Sequence, residues 1–193
     1  SAQADAAGGK NPADFSWDNA TVYFLLTDRF ENGNPDNDHA YGRTLDAEGQ
    51  PLEGWNTAGA TFHGGDFAGI TKKIEEGYFT DLGVNAIWLS APYEQIHGYC
   101  QGDDGGSYVH YAYHGYYALD YTETDKNFGT KEEFQKLVDT AHAHGIRIIM
   151  DVVMNHPGYN TVQDMEEFDY GTLKNNYQSL FYKLDGIRNY HNY

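Results

Sequence analysis

Asp151, Asn155 and His156 close the run Ile146-Arg-Ile-Ile-Met-Asp-Val-Val-Met-Asn-His156, in which apolar residues give way to three polar side chains. A carboxylate at the mouth of a sheet needs a cation or donor partner, such as an Arg from another strand. The amide oxygen of Asn155 suits calcium, and the imidazole of His156 could donate to a hydroxyl. A second cluster is Asn32-Gly-Asn-Pro-Asp-Asn-Asp38, whose oxygens in a Gly/Pro turn suit a hard cation that takes about 6–8 oxygen ligands, or simply an Asx-rich turn. It is no EF-hand, because the Gly and Glu of that pattern fall out of place. In His63-Gly-Gly-Asp66, Asp66 reads as a helix N-cap, and the glycine pair lets the backbone approach a ligand or a neighbouring loop. In the Tyr-rich stretch 110–121, His110 and His114 are four apart, as a zinc pair on a helix would be. Gly115 argues against a helix there, no third ligand is present, and aromatic rings with an imidazole fit a neutral polyol better. Neither a Ser-His-Asp arrangement nor a phosphate-cradling Gly loop is found.

The elements that must position these groups alternate. Residues 1–19 read as a loose leader with the small, polar start of a trimmed secretory chain. Residues 20–30 read as a buried strand, 31–65 as a long loop, and Phe67, Ile70, Ile74 and Phe79 as one face of a helix stopped by Gly83. Val84–Ser90 is a second strand, and 91–128 a second long loop. Thr130 and Glu133 form a capping box for a helix ended by Gly145, and the third strand follows. Short αβ turns and long βα loops predict parallel strands with the site at their carboxyl ends, as in a (β/α)8 barrel. Three strands cannot close such a barrel. Residues 157–193 leave the alternation and read as the start of an inserted subdomain, so the chain looks like part of something larger.

Of 193 residues, 29 are acidic and 12 basic, a formal charge of −17. That field repels nucleic acid and anionic membrane and favours cations. No apolar run could span a bilayer. The 17 Tyr, 10 Phe and 3 Trp include flat rings suited to sugars, and Cys100 is the single cysteine.

Taken together, Thr27-Asp-Arg-Phe-Glu-Asn-Gly-Asn34, His63-Gly-Gly-Asp-Phe-Ala-Gly-Ile70, Gly83-Val-Asn-Ala-Ile-Trp-Leu-Ser90, His114-Gly-Tyr116 and Asp151-Val-Val-Met-Asn-His156 resemble the α-amylase family of glycoside hydrolases, family 13. The segment 154–165 is most similar to its periplasmic members from Gram-negative bacteria. The resemblance implies the amino-terminal portion of a TIM (β/α)8 barrel over 20–156, with an inserted domain B beginning at 157–193. It implies a secreted or periplasmic enzyme that hydrolyses internal α-1,4-glucosidic bonds of starch or maltodextrins with retention. Its partners would be the α-glucan and the remaining barrel strands. His114, Tyr116 and His156 would line the donor-side sugar subsite, Tyr116 stacking on the ring, and Asp151 would hold an active-site Arg. Calcium would be bound by Asn155 at the junction with domain B. A second calcium in the first βα loop would use Asn32, Asn34, Asn37, Asp38, the Gly64 carbonyl and Asp66; Asn32 replaces the family's usual Asp. The family's catalytic nucleophile and acid/base come from later strands, whose motifs are absent from these 193 residues and are expected beyond Tyr193. Retaining chemistry needs two carboxyls about 5–5.5 Å apart, so this chain alone should be inactive. Glucan transfer by a cyclodextrin glucanotransferase-like relative, and a non-catalytic glucan- or calcium-binding module, are the alternatives.

Overall fold

The computed structural model describes residues 15–101, 109–159 and 161–167. Its first strand, β1 (Val22–Leu25), is shorter than the expected 20–30, because the chain turns at once into α1 (Thr27–Phe30). That turn is fixed from outside: the Thr27 N–H donates to Ser90 Oγ at 3.1 Å, and the buried Asp28 carboxylate accepts from the N–H of His63 at 2.9 Å. The end of the expected leader is tied down as well. Ser16 caps a turn at Trp17–Asn19, whose last carbonyl accepts from Asn85 at 3.4 Å.

After the first long loop comes α2 (Phe67–Glu75), capped by the Asp66 carboxylate on the Gly69 N–H. The single helix expected as far as Gly83 is broken at Gly77, whose φ of +84° is a left-handed conformation, and α3 (Tyr78–Asp81) follows. β2 (Ala86–Leu89) is central in the sheet.

The second loop is more than a loop. β3 (Tyr93–Gln95) and β4 (Cys100–Gln101) pair antiparallel with β6 (Ala118–Thr124) and β5 (Val109–His110), respectively. These strands were missed because three of the four have two or three residues, too few to show a two-residue period. The expected capping box of Thr130 and Glu133 opens α4 (Lys131–Ala143), and β7 (Arg147–Met150) follows. The last helix among the described residues, α5 (Val162–Glu167), lies within the segment expected to begin domain B. The rest of that segment, from 168 to Tyr193, and positions 1–14 of the leader lie outside the described residues. The expected place of the catalytic carboxyls, after Tyr193, lies outside the described residues.

The three long-range strands are parallel in the order β1-β2-β7, as expected, with Leu25, Leu89 and Met150 in register. Tyr23, Leu25, Ile87, Leu89 and Ile148 meet α2 and α4 through Ile70, Ile74 and Leu137. Each fully buried Leu, Ile or Phe contributes about 1.5–3 kcal/mol. On the other face Phe24 and Trp88 are in register with Ile149, their rings 5.1 Å apart, and remain 48% and 41% exposed. This is the face that a barrel turns inward.

Candidate active-site cluster and cation loop

Beyond β7 the Asp151 N–H still bonds to the Leu89 carbonyl at 3.2 Å, so its side chain leaves from the carboxyl end of the sheet. One oxygen, Oδ2, accepts from the Tyr116 hydroxyl at 3.1 Å and from Trp88 Nε1 at 3.2 Å. The expectation named an Arg partner; among the described residues the donors are a phenol and an indole, and Oδ1 has none. Trp88 carried no signal for this role, because its indole comes from the second strand and not from any motif around Asp151. Burial, and then the Asp151 charge, push the Tyr116 hydroxyl up to about 12, so it remains a donor.

The segment after Asp151 is held by two more tyrosines that sequence reasoning did not single out. The Val153 N–H donates to the Tyr93 hydroxyl at 2.7 Å, and the Tyr121 hydroxyl donates to the carbonyls of Val153 and His156. This brings His156 to Tyr116. Its Nε2–H donates to the Tyr116 carbonyl at 3.1 Å, while Nδ1 faces the Asn155 amide nitrogen at 3.1 Å. His156 is therefore committed on both nitrogens and positions Tyr116, rather than offering the free hydroxyl donor expected from sequence. Asn155 turns its nitrogen to His156, which leaves its carbonyl oxygen for a ligand.

His114 and Tyr116 are ring-stacked at 5.5 Å between centroids. The Tyr116 N–H donates to His114 Nδ1 at 3.0 Å, so the neutral ring carries its proton on Nε2. Burial above all, helped by His110, Arg29 and His156, lowers the His114 pKa to about 4. The unfolded chain then binds a proton below about 6.5 that the fold refuses until about 4, so His114 costs stability as pH falls through that window. His114→Asn is expected to flatten this loss in denaturant titrations of the complete enzyme; an identical pH profile in the variant would show His114 protonated within the fold. His110 lies 5.5 Å from His114 between ring centroids. His110 ends the strand β5, so its four-residue spacing to His114 is not that of a helix.

The first loop draws its oxygens together. Asp66 accepts from the N–H groups of Gly33 at 3.0 Å and Asn34 at 2.8 Å, and from the Asn37 amide at 3.2 Å, besides capping α2. Asn32 donates to Asp38 at 2.7 Å, and the backbone carbonyls of Asn37 and Asp38 accept from Asn127. Burial, opposed by the Asn32 bond and then aided by the Asp66 charge, raises the Asp38 carboxyl above the usual range. Gly64 has φ +92°, and a Cβ there would lie 2.5 Å from Asn32 Nδ2 and 2.6 Å from Asp38 Oδ1. Its neighbour Gly65 presses against the backbone of Asp28, the close approach anticipated for the glycine pair. The telling atom is Asn37 Oδ1, which is buried and accepts no hydrogen bond among the described residues. An orphan amide oxygen on a side chain bonded to Asp66, whose carboxyl pKa burial also raises, fits a hard cation with oxygen ligands.

Arg43 belongs to none of the sequence motifs. It is fully buried and donates to Asp125 Oδ1 at 2.7 Å and Oδ2 at 2.9 Å, to Asn127 Oδ1 at 2.6 Å, and to the carbonyls of Gln95, Ile96 and His97. It thereby locks the first long loop to the second. Asp28 beside Arg29 is also buried, and burial pushes its carboxyl up to about 7 against the pull of the His63 N–H and Arg29.

Parallel strands, helices on one face and a polar aromatic cluster at the carboxyl ends define the opening portion of a (β/α)8-barrel protein. Residues 24–190 match the α-amylase catalytic domain, and the chain belongs to that family. It is 53% identical to the periplasmic α-amylase of Escherichia coli K12 over 161 residues, covering 83% of this chain and 22% of that protein. It is 38% identical to a cyclomaltodextrin glucanotransferase of Bacillus sp. strain 38-2 over 167 residues, 86% of this chain and 22% of the relative. A solved cyclomaltodextrin glucanotransferase with a three-domain ABC distribution superposes with a TM-score of 0.62 at 31% identity, covering 76% of this chain and 28% of that one. The chain thus spans 22% of the length of each of these two curated relatives.

Proposed function

We propose that this chain supplies the donor-side sugar pocket and a calcium loop of an α-amylase-type enzyme that cleaves internal α-1,4-glucosidic bonds with retention. The observation that carries the reading is the joined group Asp151–Tyr116–His114–His156 at the carboxyl end of the sheet. The Tyr116 ring packs on a glucosyl ring, and the neutral His114 offers Nε2–H to a sugar hydroxyl. Asp151, with Oδ1 still available, holds a cationic partner near the reacting bond. Retention needs a nucleophile and a proton donor about 5–5.5 Å apart, and we assign both to segments beyond Tyr193. Residues 20–156 are then the first part of the barrel, 157–193 the start of domain B, and the leader is confined to the residues before Ser16. The similarity to a periplasmic enzyme supports a secreted or periplasmic location.

The complete enzyme, given maltoheptaose, should release linear maltooligosaccharides in the α-configuration. The greater identity to the hydrolase, 53% against 38% for the transferase, favours this outcome. Cyclic products would reassign the chain to glucan transfer, and binding without cleavage would make it a binding module.

Calcium in the first loop would be held by Asn32, Asn34, Asn37, Asp38, the Gly64 carbonyl and Asp66, neutralising the buried carboxylates; Asn155 would serve a second calcium. A ligand at about 100 times its Kd stabilises a fold by about 2.7 kcal/mol. Chelation should therefore lower the melting temperature of the complete enzyme by several degrees, and Asn37→Ala should shrink that shift. A melting curve indifferent to chelator would remove both sites.

A further inference from the structure

His97 stands apart from the sugar cluster, at the turn after β3, and is 3% exposed. Its Nε2 lies 2.7 Å from Glu94 Oε1, and its Nδ1 lies 2.6 Å from Glu167 Oε2, on the last residue of α5. A neutral imidazole has one N–H; the other nitrogen is a lone pair that repels a carboxylate. With both carboxylates ionised, the two short contacts are attractive together only when the ring carries two protons.

The surroundings bear on that proton from every side. Tyr41 stacks on the ring at 3.8 Å and 19°, with Lys126 5.1 Å from the centroid of the Tyr41 ring. Arg43 donates to the His97 carbonyl at 3.4 Å and is itself neutralised by Asp125. On α5, Asp164 accepts from the His97 N–H at 2.8 Å, and the Cys100 thiol, raised mainly by burial, feels the same carboxylate. Among the described residues, the acidic groups at the ring are Glu94 and Glu167, with Asp164 at the backbone of His97. Of the described cations, Arg43 approaches its backbone and Lys126 its stacked neighbour rather than its nitrogens.

We propose that Glu94–His97–Glu167 is a proton-operated latch that fixes the last turn of α5 to the second βα loop. When the imidazole loses a proton to water, one carboxylate loses its donor. Glu167, with 44% of its side chain exposed against 16% for Glu94, is the one that swings out. Asp164 still holds the first turn through the N–H of His97 and the Thr161 hydroxyl, so release is confined to the carboxyl-terminal end of the helix. The latch is independent of any sugar chemistry. It gives the start of the segment after the third long-range strand a mobility set by pH.

Amide exchange in the complete enzyme tests this. The peptide covering 161–167, corrected for intrinsic exchange and referenced to α4, should exchange at least about tenfold faster at about pH 9 than at about pH 5. Glu167→Gln should remove the step, because an amide can donate to a lone pair or accept from an N–H and keeps the helix end closed at both pH values. His97→Gln should also abolish it; if that buried variant fails to fold, Glu167→Gln carries the test. A wild type without the step, or a Glu167→Gln variant that retains it, overturns the latch.

Discussion

Arg43→Ala should cost about 3–5 kcal/mol, the usual penalty for stripping one partner from a buried ion pair. Asp125 would keep its N–H bonds from Gln95 and Asn127 but lose the cation that balances its charge. Three backbone carbonyls and Asn127 Oδ1 would lose a donor each, inside the buried junction of the two loops. The guanidinium also lies 4.6 Å from the rings of both Tyr41 and Phe62, so its removal leaves a flat void. Arg43→Lys should rescue little, because three donors on a point charge cannot reproduce a planar fork. The melting temperature of the complete enzyme is the readout. A loss below about 1 kcal/mol for Arg43→Ala would mean that the two loops are held by something other than this pair.

Arg43 also shows where reading a sequence runs out. Its partner Asp125 is 82 positions away, in a stretch with no motif of its own, and nothing local says that this Arg is buried. The elements that were legible obey local rules. The Thr130–Glu133 box and the Asp66 cap are decided within four residues, and both form as expected. The parallel order of β1, β2 and β7 follows from long βα loops and short αβ turns. The apolar spacing runs through Gly77, whereas its left-handed backbone conformation ends the helix. In the candidate site the motif residues 114, 116, 151 and 156 do come together. The groups that hold them, Trp88, Tyr93 and Tyr121, come from other strands, and their role exists only once the sheet has formed. For the same reason the commitment of His156 to the Tyr116 carbonyl could not be foreseen.

The second large effect concerns activity. Asp151 takes both of its described hydrogen bonds on Oδ2, so removing the carboxylate frees the Tyr116 hydroxyl and the Trp88 indole together and takes away the charge meant for a cationic partner. Tyr116 would keep its backbone bond to His114 but lose its anchor at the hydroxyl end. A small displacement of a substrate-positioning group can cost about 10²-fold in rate. Stability should change much less, because Asp151 is partly exposed at the mouth of the sheet and its loss opens no cavity in the core. The decisive measurement is kcat/KM of the complete enzyme carrying Asp151→Ala on maltoheptaose, alongside its melting temperature. The account predicts a fall of about 10²-fold with melting nearly unchanged. Activity within about twofold of the wild type would contradict the claim that this cluster forms the sugar pocket.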